Sequence, residues 1–258
     1  MNCVDLKFLP RFLFGFTLLA MSVLFSECKP EDETPPYVTV LLRLTHKVED
    51  QILEFNQKKY TNLLGQSYSI SKLNYFISNI KLRNKESGAV YFESNSYHLI
   101  KPAQNPGNIE ITLLNVPKGK YTQMEFSVGV DNGVNHSTDQ IGDVDVGNGM
   151  AWGWEAGYKF LELEGEYTTS LKTGPYIFHI GEDPNYKSYT FDFKNVTGGA
   201  FDLVKSGQIL VDANLNACFG NPNPVDFNIL NNIHSISTGS SKIADNYGSS
   251  MFTLTGAQ

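Results

Sequence analysis

Apolar residues recur at every second position in short runs along this chain, which is the spacing of half-buried strands rather than helices. The run Tyr37–His46 is β-branched and apolar and starts directly after Pro35 and Pro36, a pair that stops any preceding element. In Leu73–Leu82, Tyr75, Ile77 and Asn79 alternate with Phe76, Ser78 and Ile80. Tyr91–Ile100, Ile109–Leu114, Tyr121–Val130, Tyr158–Leu163, Tyr176–Ile180, Tyr189–Phe193 and Gln208–Leu215 continue the pattern, and a last short strand is expected around Ser250–Leu254. Glycine- or asparagine-bearing turns at 84–88, 117–119 and 197–199 punctuate the runs. No segment keeps a 3.6-residue period for three turns. The pattern therefore predicts an all-β fold, a single β-sandwich of about nine to ten strands with long loops, occupying residues 37–258. Its longest irregular stretches are Asp131–Met150 and Ala217–Gly239, and loops on a rigid sandwich are where a site is expected.

The N-terminus breaks the alternation. Lys7 and Arg11 precede an apolar run, Phe12–Phe25, that is short for an ordinary membrane span and ends near Cys28. Residues 1–28 read as a bacterial lipoprotein signal segment with lipid attached at Cys28, followed by a polar tether over 29–36; ordinary secretion is the alternative. Cys3 then falls in the removed segment and Cys218 is left as a lone thiol, so no disulfide framework is available. The domain is long enough to bury a core without one. A net charge of -7 excludes a nucleic-acid partner and electrostatic adhesion to an anionic membrane, leaving the lipid as the membrane contact. The expected location is the bacterial cell envelope, facing the periplasm or the exterior.

Candidate chemistry concentrates in few places. Both tryptophans, Trp152 and Trp154, lie one residue apart among glycines in Gly149–Tyr158, so in a strand they would share one face as an indole platform. That platform suits a carbohydrate- or peptide-binding module, or simply plugs one end of the sandwich. The five histidines, His46, His98, His136, His179 and His234, form no local metal motif. His46, His98 and His179 sit in or at the ends of strands, from which they can converge on one rim; imidazoles without thiolates suit copper, zinc or nickel. Each also suits an ordinary hydrogen-bonding role. Asp131, Asn132, Asn135, Asp139, Asp143 and Asp145 crowd one glycine-rich loop, a set of hard oxygens for calcium or else a loop of Asx turns. No nucleophile elbow, phosphate loop or haem-attachment motif is present, so the chain is read as a binding protein and not an enzyme.

The chain resembles the MbnP-like copper-binding family in phrases spread over most of the mature protein. They are Leu44–Val48, Leu73–Leu82, Tyr97–Ile100, Gly119–Tyr121, Val128–Asp131, the tryptophan segment Gly149–Phe160, Phe178–Gly181, Ile243–Asn246 and Met251–Phe252. The resemblance implies an exported β-rich protein whose partner is a di-heme peroxidase-like protein. It implies that a tryptophan, Trp152 or Trp154, is oxidised to kynurenine, whose aniline nitrogen binds copper together with two imidazoles. His46, His98 and His179 are the candidate ligands, and which two serve is left open. Convergence requires two ligating nitrogens within about 4 Å of each other. The expectation is that His46 and His179 share one rim beside a tryptophan, with His98 in reserve and at least one of His136 and His234 uninvolved.

Overall fold

The computed structural model describes residues 36–258 apart from 58–59, 138, 154–156 and 235–237. The signal segment, Cys28 and all but the last residue of the tether lie outside the described residues, as does Trp154.

The strands that build the fold are β1 (Tyr37–Val48), β2 (Ser67–Arg83), β3 (Tyr97–Ile100), β4 (Ile109–Pro117), β5 (Gln123–Val128) and β6 (Ala151–Gly153), followed by β7 (Gly157–Thr168), β8 (Thr173–Gly181), β9 (Lys187–Asp192), β10 (Gly207–Asn214), β11 (Asn232–Ile233) and β12 (Phe252–Ala257). One sheet runs β12–β10–β1–β4 and joins the two ends of the domain through a parallel pairing, Val40 opposite Gly207 to Lys47 opposite Asn214. The other runs β9–β5–β2–β7–β8–β11, with β3 added along β2 and β6 folded back on β7. Most of its pairings are antiparallel; the edge strand β11 lies parallel to β8.

Alternation decides what lies between the sheets. Val40, Leu42, Leu44, His46 and Val48 of β1 point inward, as do Leu73, Tyr75 and Ile77 of β2, Leu161 and Leu163 of β7, and Tyr176, Phe178 and Ile180 of β8. Their apolar members form one core, each large side chain contributing roughly 1.5–3 kcal/mol by leaving water. This is the expected all-β sandwich.

Two features depart from the expectation. Tyr91–Ile100 is two short strands, 90–92 and β3, both paired with β2. Residues Thr238–Ser250 form a helix, α1, whose Ser240, Ile243, Ala244, Tyr247 and following Met251 are buried at helical spacing. A second, smaller cluster of Phe76, Val130, Val144, Met150, Tyr158 and Phe160 forms beneath the 131–150 loop. Among the described residues no helix is long and apolar enough to cross a membrane.

Candidate functional site

The outward faces of β2, β7 and β8 meet in one polar rung. Register sets Asn74 opposite Glu162 and Glu162 opposite His179, with Lys72 opposite Glu164 beside them. A bulge in β7 at Phe160 brings Lys159 opposite Gly181, so Lys159 joins Glu162 instead of alternating away from it. Glu162 is 2% exposed and accepts from Lys159 Nζ, from Asn74 Nδ2 at 2.9 Å and from Lys72 Nζ at 3.1 Å. Burial alone would raise its pKa; the Lys159, Asn74 and Lys72 hydrogen bonds outweigh that and hold it down at about 2. Glu162 is therefore a fixed anion whose oxygens are already occupied.

His179 stands at the edge of this rung. Its Nε2 lies 2.8 Å from Oε1 of Glu164 and 3.7 Å from Oε1 of Glu162. The parallel pairing of Phe178 with Ile233 carries the next residue, His234, alongside His179. The two imidazoles are 5.2 Å apart between ring centres and perpendicular at 88°. Trp152 covers Gly181, two residues beyond His179 on the same face: a Cβ built on Gly181 would lie 2.6 Å from Cζ3 of the indole. Two imidazoles and a carboxylate thus gather at one edge of the outer face, with the indole of Trp152 over Gly181 two residues along β8. Glu162, Glu164 and His179 present ligand atoms within 4.8 Å of one another.

A family model described as MbnP matches residues 37–236. The chain belongs to the MbnP family. Among solved structures it is similar to MbnP from Methylosinus trichosporium, with a TM-score of 0.56 and 16% identity over 85% of this chain and 98% of that one. No curated protein sequence matches. Those two findings fix the family and the fold, and the geometry of this MbnP-family chain must identify its site residues.

The five histidines separate cleanly in this member of the MbnP family. His46 shares the inward parity of Leu42 and Leu44 and is fully buried. Its Nδ1 donates to the Pro106 carbonyl at 3.1 Å, so its Nε2 accepts from the Tyr75 hydroxyl at 2.8 Å. Burial lowers its pKa to about 4, only partly opposed by the Pro106 hydrogen bond. The sheet bearing Tyr75 separates it from His179, whose neighbours Phe178 and Ile180 point inward while it points out. The expectation that His46 and His179 meet is thereby corrected: strand parity puts them on opposite faces. His98 is half-buried with Nε2 2.8 Å from Glu93, opposite Ile77 on β2, and does not join His179 either. His136 is exposed and bonds Asp183 at 3.2 Å. Of the two loop histidines, at least one of which was expected to be uninvolved, His234 is the one that reaches His179.

Among the described residues, the acidic loop does not gather its oxygens into a group that could hold an ion. Asp131 accepts from Asn79 and Tyr97, Asp143 from the Leu99 amide, Asp145 from the Gly147 amide, and Asp139 from Ser137. Asp145, accepting from the amide two residues on, makes an Asx turn, while the Asp131 and Asp143 bonds tie the 131–150 loop to residues 79, 97 and 99. Asn135 shows the same role: its side chain accepts from the Tyr158 amide at 2.8 Å and sits where a Cβ on Gly157 would fall, at 2.4 Å, which makes glycine necessary there at φ +72°.

Proposed function

We propose that this protein binds copper outside the cytoplasm through His179 and His234, with Trp152 as the neighbouring residue that completes the site. The perpendicular imidazole pair beside Trp152 carries the reading. With metal–nitrogen distances of about 2 Å, two imidazoles sharing an ion have ring centres roughly 5–6 Å apart, and the observed pair lies in that range. A hydrogen bond from Nε2 of His179 to Glu164 leaves Nδ1 for the ion, the usual arrangement in which a carboxylate orients a ligating histidine. A sparse set of neutral, borderline nitrogen donors suits copper better than hard, oxygen-seeking ions, and His179 and His234 would hold such an ion as a redox-active or stored centre.

The remaining elements of the reading rest on family and sequence. A di-heme peroxidase-like partner oxidises Trp152 to kynurenine, exposing an aniline nitrogen where the indole nitrogen has no lone pair to offer. With two equivalents of peroxide as oxidant, the partner would take four electrons from Trp152 and pass them to peroxide, which is reduced to water. Two water oxygens enter and four protons leave as the pyrrole ring opens to the N-formyl product, and hydrolysis then releases the formyl carbon as formate. The chain acts as a binding protein and not an enzyme, anchored in the bacterial envelope by lipid at Cys28.

Competition against a chromophoric Cu(I) chelator tests the site. His179→Ala and His234→Ala are each expected to weaken Cu(I) binding at least about tenfold, the weakening expected of losing one of very few ligands. His98→Ala leaves it unchanged. Retention of full affinity in both His179→Ala and His234→Ala overturns the assignment. Intact mass of the membrane-extracted protein tests the lipid at Cys28, and peptide mass after incubation with the peroxidase partner and peroxide tests Trp152.

A further inference from the structure

Charge is distributed unevenly between the two ends of the sandwich. The chain enters the fold at Pro36, whose carbonyl accepts from the Lys118 amide at 2.9 Å, and Tyr37 lies opposite Pro117. Other turns close around that point. Thr122 bonds Arg83 and Lys85, Asn84 donates to the Lys120 carbonyl at 2.6 Å, and the Phe193 amide donates to the Thr122 carbonyl. Gly119–Tyr121 pairs with Phe201–Leu203, and Ser206 accepts from the Thr39 amide. The turns at 84–88, 117–122, 193–199 and 203–206 therefore form one pole. They carry Lys85, Lys118, Lys120, Lys194 and Lys205 against Glu86, Asp192 and Asp202, while Arg83 is paired with Glu125. Four of these lysines are exposed and Lys118 is half-buried; Val204 at 63% and Tyr37 at 54% exposure add two apolar side chains. At the opposite pole Asn62 and Gln66 bond residues 225–227 and Thr169 bonds Asn228. Its sign is reversed: among the described residues it carries Glu49, Asp50, Glu166 and Asp226 against Lys172.

We infer that the lysine-bearing pole is the face the domain turns toward an anionic lipid bilayer. The inference rests on the reading of Cys28 as lipid-bearing and goes beyond it by naming the surface that meets the headgroups. A net charge of -7 still excludes adhesion of the whole molecule by charge alone; the lipid supplies attachment, and the pole sets which end faces the membrane. Cys28 lies eight residues before Pro36, so a lipid there is at most about 28 Å of chain from this pole. Each uncompensated lysine near an anionic surface favours contact about fivefold, so the excess of two positive charges favours this pole roughly twentyfold before screening. Tyr37 and Val204, apolar bodies beside polar and charged neighbours, suit the headgroup boundary. Arg83 at the pole is nine residues along β2 from Asn74, which shares a rung with Glu162 and His179. At the rise of an extended strand, the flank bearing His179 is then held roughly 25–30 Å from the bilayer, clear of the headgroups.

The experiment uses the full chain extracted from bacterial membranes and reconstituted on two kinds of vesicle, pure phosphatidylcholine and an equal mixture of phosphatidylcholine and phosphatidylglycerol. Intact mass reports the lipid at Cys28, and hydrogen exchange read by mass spectrometry follows each pole. On the anionic vesicles the amides of 84–88, 117–122 and 203–206 are expected to exchange at least about threefold more slowly than on phosphatidylcholine, with those of 168–173 unchanged, and molar salt should erase the difference. Lys120→Glu/Lys205→Glu should lose the protection while the protein stays on the vesicles. Lys172→Glu/Lys242→Glu, the same charge change elsewhere, should keep it; all four lysines are exposed, and circular dichroism reports folding. Equal exchange at both poles of the lipid-bearing protein, or protection that survives Lys120→Glu/Lys205→Glu, overturns the inference and leaves the anchor standing. A chain without lipid that leaves both kinds of vesicle overturns both. A chain without lipid whose lysine-bearing pole is still protected on the anionic vesicles overturns the anchor alone.

Discussion

Lowering the pH from 7 to 4 in a series of urea-unfolding curves isolates the contribution of one buried histidine. His46 is enclosed between the sheets and held neutral, with a pKa near 4 against an ordinary value of 6.5. The unfolded chain therefore takes up a proton on this imidazole as pH falls through 6.5, while the folded protein refuses it until about 4. Unfolding binds the proton, so stability rises with pH across that window and falls as acid is added. The gap of about 2.5 pH units corresponds to about 3 kcal/mol between pH 7 and pH 4, with a slope approaching about 1.4 kcal/mol per pH unit in the middle of the window. Against a total of roughly 5–15 kcal/mol for a domain, this is a large share.

The comparison protein is His46→Gln, which removes the titrating group and keeps a donor for Pro106 and an acceptor for Tyr75 in side-chain chemistry. Its absolute stability is not the readout; its slope is. Between pH 6.5 and 4 the wild type should lose about 3 kcal/mol more than the variant, by the same pKa gap. Below about pH 4 the two curves should run parallel, since the folded imidazole then also protonates. In a proton NMR titration the His46 ring should keep its neutral shifts down to about pH 5. Parallel stability curves through the whole window, or a His46 resonance titrating near 6.5, refutes the reasoning.

Three further perturbations read other parts of the structure. Gly165→Ala places a Cβ 1.9 Å from the Ser69 carbonyl and 2.8 Å from the Tyr176 ring, and is expected to cost at least about 3 kcal/mol in a denaturant midpoint series; a loss under about 1 kcal/mol would contradict the packing. Cys218 is fully buried and burial pushes its thiol up to about 12, so iodoacetamide at pH 8 should leave it unmodified in the folded protein and label it in urea. Gly181→Ala meets Tyr158 O at 2.3 Å and the Trp152 ring at 2.6 Å, so in a Trp154→Phe background the emission of Trp152 should shift to the red as the indole is displaced; an unchanged spectrum argues against its seat on Gly181.

The strands were legible because β-sheet side chains alternate, and the runs beginning at Tyr37, Leu73, Tyr158 and Tyr176 show that alternation openly. The same rule placed His46 indoors: it stands in phase with Val40, Leu42, Leu44 and Val48, a stronger signal than its position near a strand end. Parity also separates His179 from its neighbours Phe178 and Ile180. The helix α1 was hidden because Gly239, Gly248, Ser241, Ser249 and Ser250 dilute the stripe of Ser240, Ile243, Ala244, Tyr247 and Met251, so tertiary burial and not propensity makes it helical. His234 was not readable at all. Its place depends on a two-residue parallel pairing between segments more than fifty residues apart, with no local periodicity to announce it. Lys159 was equally hidden, since only the bulge at Phe160 turns it toward Glu162.

One sheet therefore does two kinds of work with adjacent residues. Tyr75 and Asn74 are neighbours in β2, and each begins a hydrogen-bonded pair that the other cannot reach: Tyr75 with neutral His46 inside, Asn74 with ionised Glu162 outside. The inner pair needs no charge, and desolvation keeps it that way. The outer rung keeps its charges because two lysines compensate them and solvent reaches its edge at Lys72. An ion-binding site requires ligands that are held in place yet open to an arriving ion. Central strands fix His179 from below, and only the short edge strand β11 brings in the exposed His234. Under the proposed copper reading, that asymmetry, one imidazole fixed by the sheet and one on its margin, makes His234 the side chain whose position should change most when copper enters and leaves.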